Sequence, residues 1–288
     1  MKLVGLMTVR NEAAFVGLSA RVALRWCDGL VILDHASTDA TPGILARIAG
    51  EFPGRVTLLH EPDSTWQEMS HRQRTLGAAR DLGATHCAII DADEVLTANM
   101  LDWIRGEVAT LQPGQILQIP MRNMWRSLDR YRSDRSPFGN MAITTVAFGV
   151  SAETAWHDQS GYPHHHREPY GARGARRFYW QQVDGGVMHL QFSNWRRLVA
   201  KQSWYQAMEA VRFPWKLKTE IAATYSQAMS EAGLETAAAG VSWWAGYSDI
   251  MHHLNIDIEP WHEREITRMF ADHGAAFFDG LNMGYRPA

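Results

Sequence analysis

A chain of 288 residues is long enough for one large domain, or one domain with an appendage, around a substantial core. Its 28 basic and 31 acidic residues nearly balance, which argues against a general nucleic-acid binder but not against nucleotides held by a few local contacts. Two cysteines in apolar contexts, Cys27 and Cys87, make neither a disulfide framework nor a zinc site and read as buried thiols of a reducing compartment. In "MKLVGLMTVRNEAAF" polar residues arrive by Arg10, too soon for a signal peptide, and no run approaches the roughly 18 apolar residues of a spanning helix. The expectation is a soluble, cytoplasmic protein, with peripheral contact to the inner membrane left open.

The stretch up to residue 115 alternates apolar strands with amphipathic segments. "LVGLMTV" is a β-run, followed by a helical stretch through "NEAAFVGLSARVALRW". "GLVILDH" is the second strand. "ATPGILARIAGEF" then reads as a helix with Thr41 as N-cap and Pro42 at the first helical position. "RVTLLHE" is the third strand, and Thr65 and Glu68 make a capping box for the helix through "MSHRQRTLGAARDLG". "HCAIIDA" is the fourth strand. The helix "TANMLDWIRGEVATL" follows, with Met100 (or Leu101), Ile104, Val108 and Leu111 turned inward. Strand and helix in this alternation imply a mostly parallel sheet covered on both faces, whose ligands bind beyond the carboxyl ends of the strands.

Past "GQILQIPM" the pattern loosens. Residues 122 to 180 hold short β-runs such as "TTVAFGV" among loops rich in Arg, His, Gly and Pro, and "GGVMHLQF" is the last clear strand. From Asn194 onward, "WRRLVAKQSWYQAMEAVRF" and the remainder look mainly helical. Nine of the twelve tryptophans fall after residue 120, which suits an aromatic-lined binding half as well as ordinary helix packing.

"IIDADEVL" sets three carboxylates, Asp91, Asp93 and Glu94, within four positions at the end of the fourth strand. Like charges so close need something positive: a metal ion, a basic side chain or a helix N-terminus. The alternative is a set of ordinary helix-capping acids.

Four pieces in order resemble the nucleotide-sugar-binding half of family 2 glycosyltransferases of the GT-A fold, nearest to bacterial members with a "VRNE" strand end and a DxD motif. They are "MTVRNEA", "LDHASTDAT", "RTLG" and "IIDADE", and "MHLQFSNWRRLVAKQ" resembles the family's later H-Y-…-S-…-K segment. His35 and Ala36 depart from the family's usual acid and glycine in the second piece, and "RT" replaces its "RN" in the third. The resemblance implies an α/β GT-A domain over residues 1–193, with 1–115 as the donor half and 116–193 as the acceptor half. A helical extension would span 194–288, free to close over the site, pair two copies or meet a membrane.

The implied activity is metal-dependent transfer of a sugar from a nucleotide-diphosphate donor, UDP-linked by preference or GDP-linked, with inversion preferred over retention. Acceptors would be hydroxyls of a glycan or of a lipid- or protein-linked carbohydrate. Mn²⁺ or Mg²⁺ would offset charge on the leaving diphosphate. By the family pattern Asp93 binds the metal, Asp91 contacts ribose or acts through water, Ala92 lies between them on the donor, and His189 completes the site. The alternative for His189 is a satisfied core histidine.

Asp34 would meet base or ribose, while Asp39 organises its turn. Thr8, Arg10, Asn11 and Glu12 would line the base pocket, and Arg74 would reach diphosphate or base unless it is merely solvated. The general base is sought among Asp158, Glu168, Glu153 and Asp184, with Asp158 preferred because Trp156 beside it could stack on a sugar. The "HHHREP" run from His164 reads as an acceptor-site loop, with an irregular surface loop or a second metal site as the alternatives. Asp93→Ala is expected to leave the fold intact, since it removes a repelling charge. A catalytically silent nucleotide-sugar-binding protein is the alternative function. A nucleotidyltransferase is disfavoured, because "MTVRNEA" lacks the glycine-rich loop such enzymes place after the first strand.

Overall fold

A computed structural model gives the protein's fold and describes residues 1–157 and 167–287. In chain order the elements are β1 (Leu3–Val9), α1 (Val16–Trp26), β2 (Gly29–His35), α2 (Thr41–Glu51), β3 (Val56–Glu61), α3 (Glu68–Asp81) and β4 (His86–Ile89). Then follow β5 (Glu94–Leu96), α4 (Leu101–Ala109), β6 (Ile116–Asn123), β7 (Arg130–Arg132), β8 (Ile143–Gly149), β9 (Ala175–Arg177) and β10 (Val187–His189). The last are α5 (Trp195–Arg212), α6 (Lys218–Ser226), β11 (Thr236–Ala238), α7 (Val241–Trp244) and α8 (His262–His273).

The main sheet runs β3-β2-β1-β4-β8-β6-β10-β5, with β9 beside β6. The first four strands are parallel, as the alternation of strand and helix requires. β8 is antiparallel to both β4 and β6, and β10 is parallel to β6 but antiparallel to β5. The fold is therefore α/β, a mostly parallel sheet flanked by helices.

Strand alternation builds two core layers. Leu3, Met7, Leu30 and Ile32 pack with Phe15, Leu18 and Ile48 on one face, while Val4, Leu6 and Val31 meet Met69, Leu76 and Ala79 of α3 on the other. Covered on both sides, β2 is buried along its whole length. Met100, Ile104, Val108 and Leu111 are buried as their spacing predicts, and both thiols are buried. Among the described residues no helix is long and apolar enough to cross a membrane.

Several local readings change. Thr41 does not cap α2: its hydroxyl accepts from the Glu12 backbone N–H (2.9 Å), and Asp39 takes the Thr41 N–H instead (2.9 Å). The Thr65–Glu68 capping box is also absent. The Thr65 hydroxyl donates to Asp63 (2.7 Å), and Glu68 pairs with Arg72 one turn on (3.0 Å). In both cases a tertiary or loop partner takes the side chain that a free helix end would have used. "GGVMHLQF" is a strand only over Val187–His189 and then turns into a 3₁₀ helix, and β5 is a short strand hidden behind the acidic motif. Trp156 is core, edge-on to Phe148 (5.6 Å), so it offers no sugar-stacking face.

Candidate functional site

A cleft of about 250 Å³ opens at the carboxyl ends of β1, β2 and β4. Its floor is Thr8, Arg10 and Glu12 past β1, His35 at the end of β2, and the Asp91-Ala92-Asp93 turn after β4. His71 and Arg72 of α3 form one wall. The roof comes from the C-terminal helices: Lys201, Trp204 and Tyr205 on one face of α5, and Trp261 and His262 where α8 starts.

Strand register brings His189 to the acidic turn. β10 pairs with β5 so that His189 faces Glu94, and the Leu190 N–H donates to the Asp93 carbonyl (2.8 Å). His189 Nε2 then lies 3.6 Å from Asp93 Oδ2, and Lys201 Nζ donates to the same oxygen (2.9 Å). Burial alone would push the Asp93 carboxyl up, yet the Lys201 ammonium and His189 hold it well below the usual carboxylate range. Burial would likewise lower the Lys201 pKa, and Asp93 first, with Tyr205 and Glu12, raises it instead.

The other two carboxylates have guanidinium partners. Arg167 spans Asp91 (3.0 Å) and Glu94 (2.7 and 2.5 Å), and Arg72 reaches the second Asp91 oxygen (3.4 Å). Three acids are thus matched by three basic side chains, one of the outcomes their crowding predicts. Nearby, Glu12 pairs with Arg197 (2.6 Å); burial still pushes its carboxyl above the ordinary value.

The donor set around Asp93 suits a divalent cation. The Asn123 amide donates to the Phe138 carbonyl (2.7 Å), which turns its oxygen toward His189 Nδ1 (3.1 Å). The Asn123 contact at Nδ1 leaves Nε2 facing the Asp93 carboxylate across 3.6 Å, where a neutral imidazole would offer its lone pair to a bound cation. An imidazole nitrogen and a carboxylate oxygen facing one another would fit Mn²⁺ or Mg²⁺, which take their remaining ligands from phosphate and water. Among the described residues no group of three or more His, Cys, Asp or Glu converges on such a point. Asp93 and His189 are the residues that could share such an ion, with Lys201 already on the same Asp93 oxygen, while Asp91 is held by two arginines.

Buried polar atoms without a partner concentrate here. Arg10 Nε, His35 Nε2, Trp204 Nε1, Trp261 Nε1 and His262 Nδ1 are all buried and unbonded, and all five residues line the cleft. Buried polar groups are seldom left unpaired, so this concentration marks a place for a ligand rich in acceptors. The aromatic rings around them are contiguous: Trp66 to Trp204 at 6.0 Å, Trp204 to Trp261 at 5.1 Å, and Trp261 stacked on His262 at 4.2 Å. Burial, with Arg197 and Lys201 nearby, keeps His262 neutral by pulling its pKa well below the ordinary histidine value.

Thr8, Arg10, Glu12, Asp91, Ala92, Asp93 and His189 are thus gathered in one cleft. Others named from sequence lie elsewhere. Asn11, in a left-handed conformation (φ 53°), accepts from Thr38 N–H (2.7 Å) and ties two loops together below the cleft floor. Asp34 faces His60 (3.6 Å) outside the lining. Arg74 is spent on Glu61 and the His60 carbonyl at the end of β3. Glu168 accepts from Gln118 (3.0 Å) and Thr145 (2.8 Å) on β6 and β8, and Glu153 pairs with exposed Arg173. Asp158 and His164 to His166 lie outside the described residues.

The roof and its charges were missed. Lys201 closes the "S-…-K" block, and Lys201, Trp204 and Tyr205 share a helix face, but such a stripe reads equally as core. Nothing local to Trp261 or His262 marks them, and the "HHHREP" run that holds Arg167 gives no sign that its arginine meets the acidic turn.

No family model matches the chain, and no curated protein does. Among solved structures, S. aureus TarS is 10% identical over 98% of this chain and 50% of its own, with a TM-score of 0.46. Its 1–349 fragment in complex with UDP is 15% identical over 43% of this chain and 36% of its own (TM-score 0.37). Glucosyl-3-phosphoglycerate synthase from Mycobacterium tuberculosis, with Mn²⁺, UDP and glucosyl-3-phosphoglycerate, is 18% identical over 42% and 44% (TM-score 0.32). The chain spans half or less of the length of each. The likeness is weak in every case, and no activity passes to this chain on its strength.

Proposed function

We propose that the chain is a glycosyltransferase of the GT-A type, moving a sugar from a nucleotide-diphosphate sugar, UDP-linked by preference, to a hydroxyl acceptor with inversion. The observation that carries the reading is the meeting of Asp93, His189 and Lys201 with five unbonded buried polar atoms in one aromatic cleft, beyond the carboxyl ends of parallel strands. Aromatic faces of Trp66, Trp204 and Trp261 suit a base or sugar ring. The N–H groups of Arg10, Trp204 and Trp261 suit phosphate and hydroxyl oxygens.

Asp93 and His189 would hold Mn²⁺ or Mg²⁺, which when bound offsets charge on the diphosphate as it leaves. Lys201 keeps Asp93 ionised and brings a positive charge to the same wall. Arg72 and Arg167 hold Asp91 in place, leaving it to contact ribose. The C-terminal helices exclude water from above, so residues 1–115 receive the donor, 116–193 face the acceptor and 194–288 complete the donor cleft. For the base that takes the acceptor proton, Asp158 stays the proposed residue, since Glu168 is committed to Gln118 and Thr145.

Hydrolysis of UDP- and GDP-sugars without acceptor, followed by release of nucleoside diphosphate in Mn²⁺, tests the reading. Asp93→Asn should lower release by about a hundredfold, the scale of losing one group that stabilises developing charge. Equal release by wild type and variant would remove Asp93 from the chemistry.

A further inference from the structure

A second cleft, of about 320 Å³, shares no residue with the first. Its volume reaches the lower end of the ~300–1,000 Å³ range of small-molecule sites. It is built from β6, β7, α7 and the turn that precedes β10. On β6, Asn123 turns toward His189 and the first cleft, so its neighbour Arg122 projects from the opposite face of the sheet.

Arg122 is the unusual group. It is only 4% exposed, yet it makes no ion pair among the described residues. Its bonds go to the Gly185 carbonyl (2.9 Å) and Asn140 Oδ1 (3.1 Å). Its guanidinium carbon lies 5.3 Å from the centre of the Tyr131 ring and 5.6 Å from that of Trp243, rings themselves 5.0 Å apart. The Asp184 carboxylate attracts it only from beyond ion-pair distance, so this buried cation, held by rings and neutral oxygens, has no anion in contact with it.

The rim is polar and aromatic. Trp243 Nε1 donates to Asp184 (2.9 Å) and holds that carboxylate at the edge. The position is possible because Gly185 and Gly186 take φ values of +107° and +142°, where a side chain would strike Thr97 and Pro120. Trp180 stands 37% exposed on the turn, and Gln181 beside it is exposed. An open aromatic face, a fixed carboxylate and an amide together suit the apolar face and hydroxyl edge of a pyranose. The guanidinium, with no carboxylate in contact, adds selection for a sugar acid seated on its side of the cleft, away from Asp184.

The geometry points to a carbohydrate-binding subsite for an acidic oligosaccharide, with a uronate carboxylate on Arg122 and a sugar ring on Trp180. It lies across the sheet from the donor cleft and needs no nucleotide. The site therefore engages a glycan away from the reacting end, and its existence does not depend on the reading of the first cleft.

The test is a calorimetric titration of the full chain, without nucleotide, using a glucuronate-containing tetrasaccharide from hyaluronan and neutral chitotetraose. The acidic tetrasaccharide should bind at least about tenfold more tightly, and Trp180→Ala, at an exposed position, should weaken it by about tenfold, the scale of one lost ring contact. Arg122→Gln should erase the preference for the acid. UDP binding by Trp180→Ala should equal that of wild type, which separates this site from the donor cleft. Absence of binding by the acidic tetrasaccharide, equal binding of the neutral one, or an unchanged Trp180→Ala affinity would each overturn the proposal.

Discussion

Lys201 and Asp93 form an ion pair that is nearly closed to water, with side chains 13% and 6% exposed. Sequence alone suggested that Asp93→Ala relieves repulsion; the structure reverses that sign, because the substitution would strand a buried ammonium. The reciprocal change is the cleaner measurement. Lys201→Met should destabilise the chain by about 3 kcal/mol in urea unfolding at neutral pH, the cost of leaving one member of a buried pair alone. A loss under about 1 kcal/mol would mean that water already weakens the pair as it does at a surface.

His262 makes a pH prediction at the same scale. Its folded pKa lies well below 6.5, so as pH falls the unfolded chain takes the proton first. The stability it contributes is whole above about pH 6.5 and declines below it, toward the folded value, by up to about 1.4 kcal/mol per pH unit. Unfolding of His262→Gln should show a shallower fall between about pH 6.5 and 5 than wild type. Parallel curves for the two proteins would count against a neutral, buried imidazole.

Among the elements, α5 and α8 matter most to the cleft. Asn194 caps α5 by accepting from Arg197 N–H (3.0 Å), and its amide donates to the Ile256 carbonyl (3.0 Å), which ties the helix start to the segment leading into α8. Trp204 and Trp261 then meet across the two helices. Trp261→Ala should cost about 3 kcal/mol of stability, as large aromatic truncations do. It should also weaken nucleotide binding by about tenfold through the lost ring face. Unchanged nucleotide affinity in a folded Trp261→Ala protein would assign the ring to packing alone.

The same elements show where sequence was legible. The strands β1 to β4 and their helices could be read because each carries its own period and is covered by neighbours close in the chain. Thr8, Asp91, Asp93 and His189 could be read because they stand at strand ends within recognisable blocks. Thr41 and Thr65 misled because a capping side chain looks the same whether it bonds its own helix or a loop. Arg74 misled because its partner Glu61 ends β3, a contact set by how α3 lies over the sheet. Trp261 and His262 carry no local mark at all, and Arg167 is marked only as part of the "HHHREP" run, since the docking of distant segments alone turns them toward the acids.

At the scale of the whole molecule, the parallel half of the sheet places the ends of β1, β2 and β4 side by side, and the antiparallel pairing of β10 with β5 delivers His189 to them. The C-terminal helices close the remaining side. The central claim is that this closure shapes a nucleotide-diphosphate site assisted by a divalent cation. Calorimetric titration with UDP and GDP, with and without Mn²⁺, tests it most directly. The account predicts one-site binding of at least one nucleotide, UDP by preference, strengthened by Mn²⁺, with the Mn²⁺ increment lost in Asp93→Asn. Failure of both nucleotides to bind with Mn²⁺ present, or an increment that survives in Asp93→Asn, would contradict it.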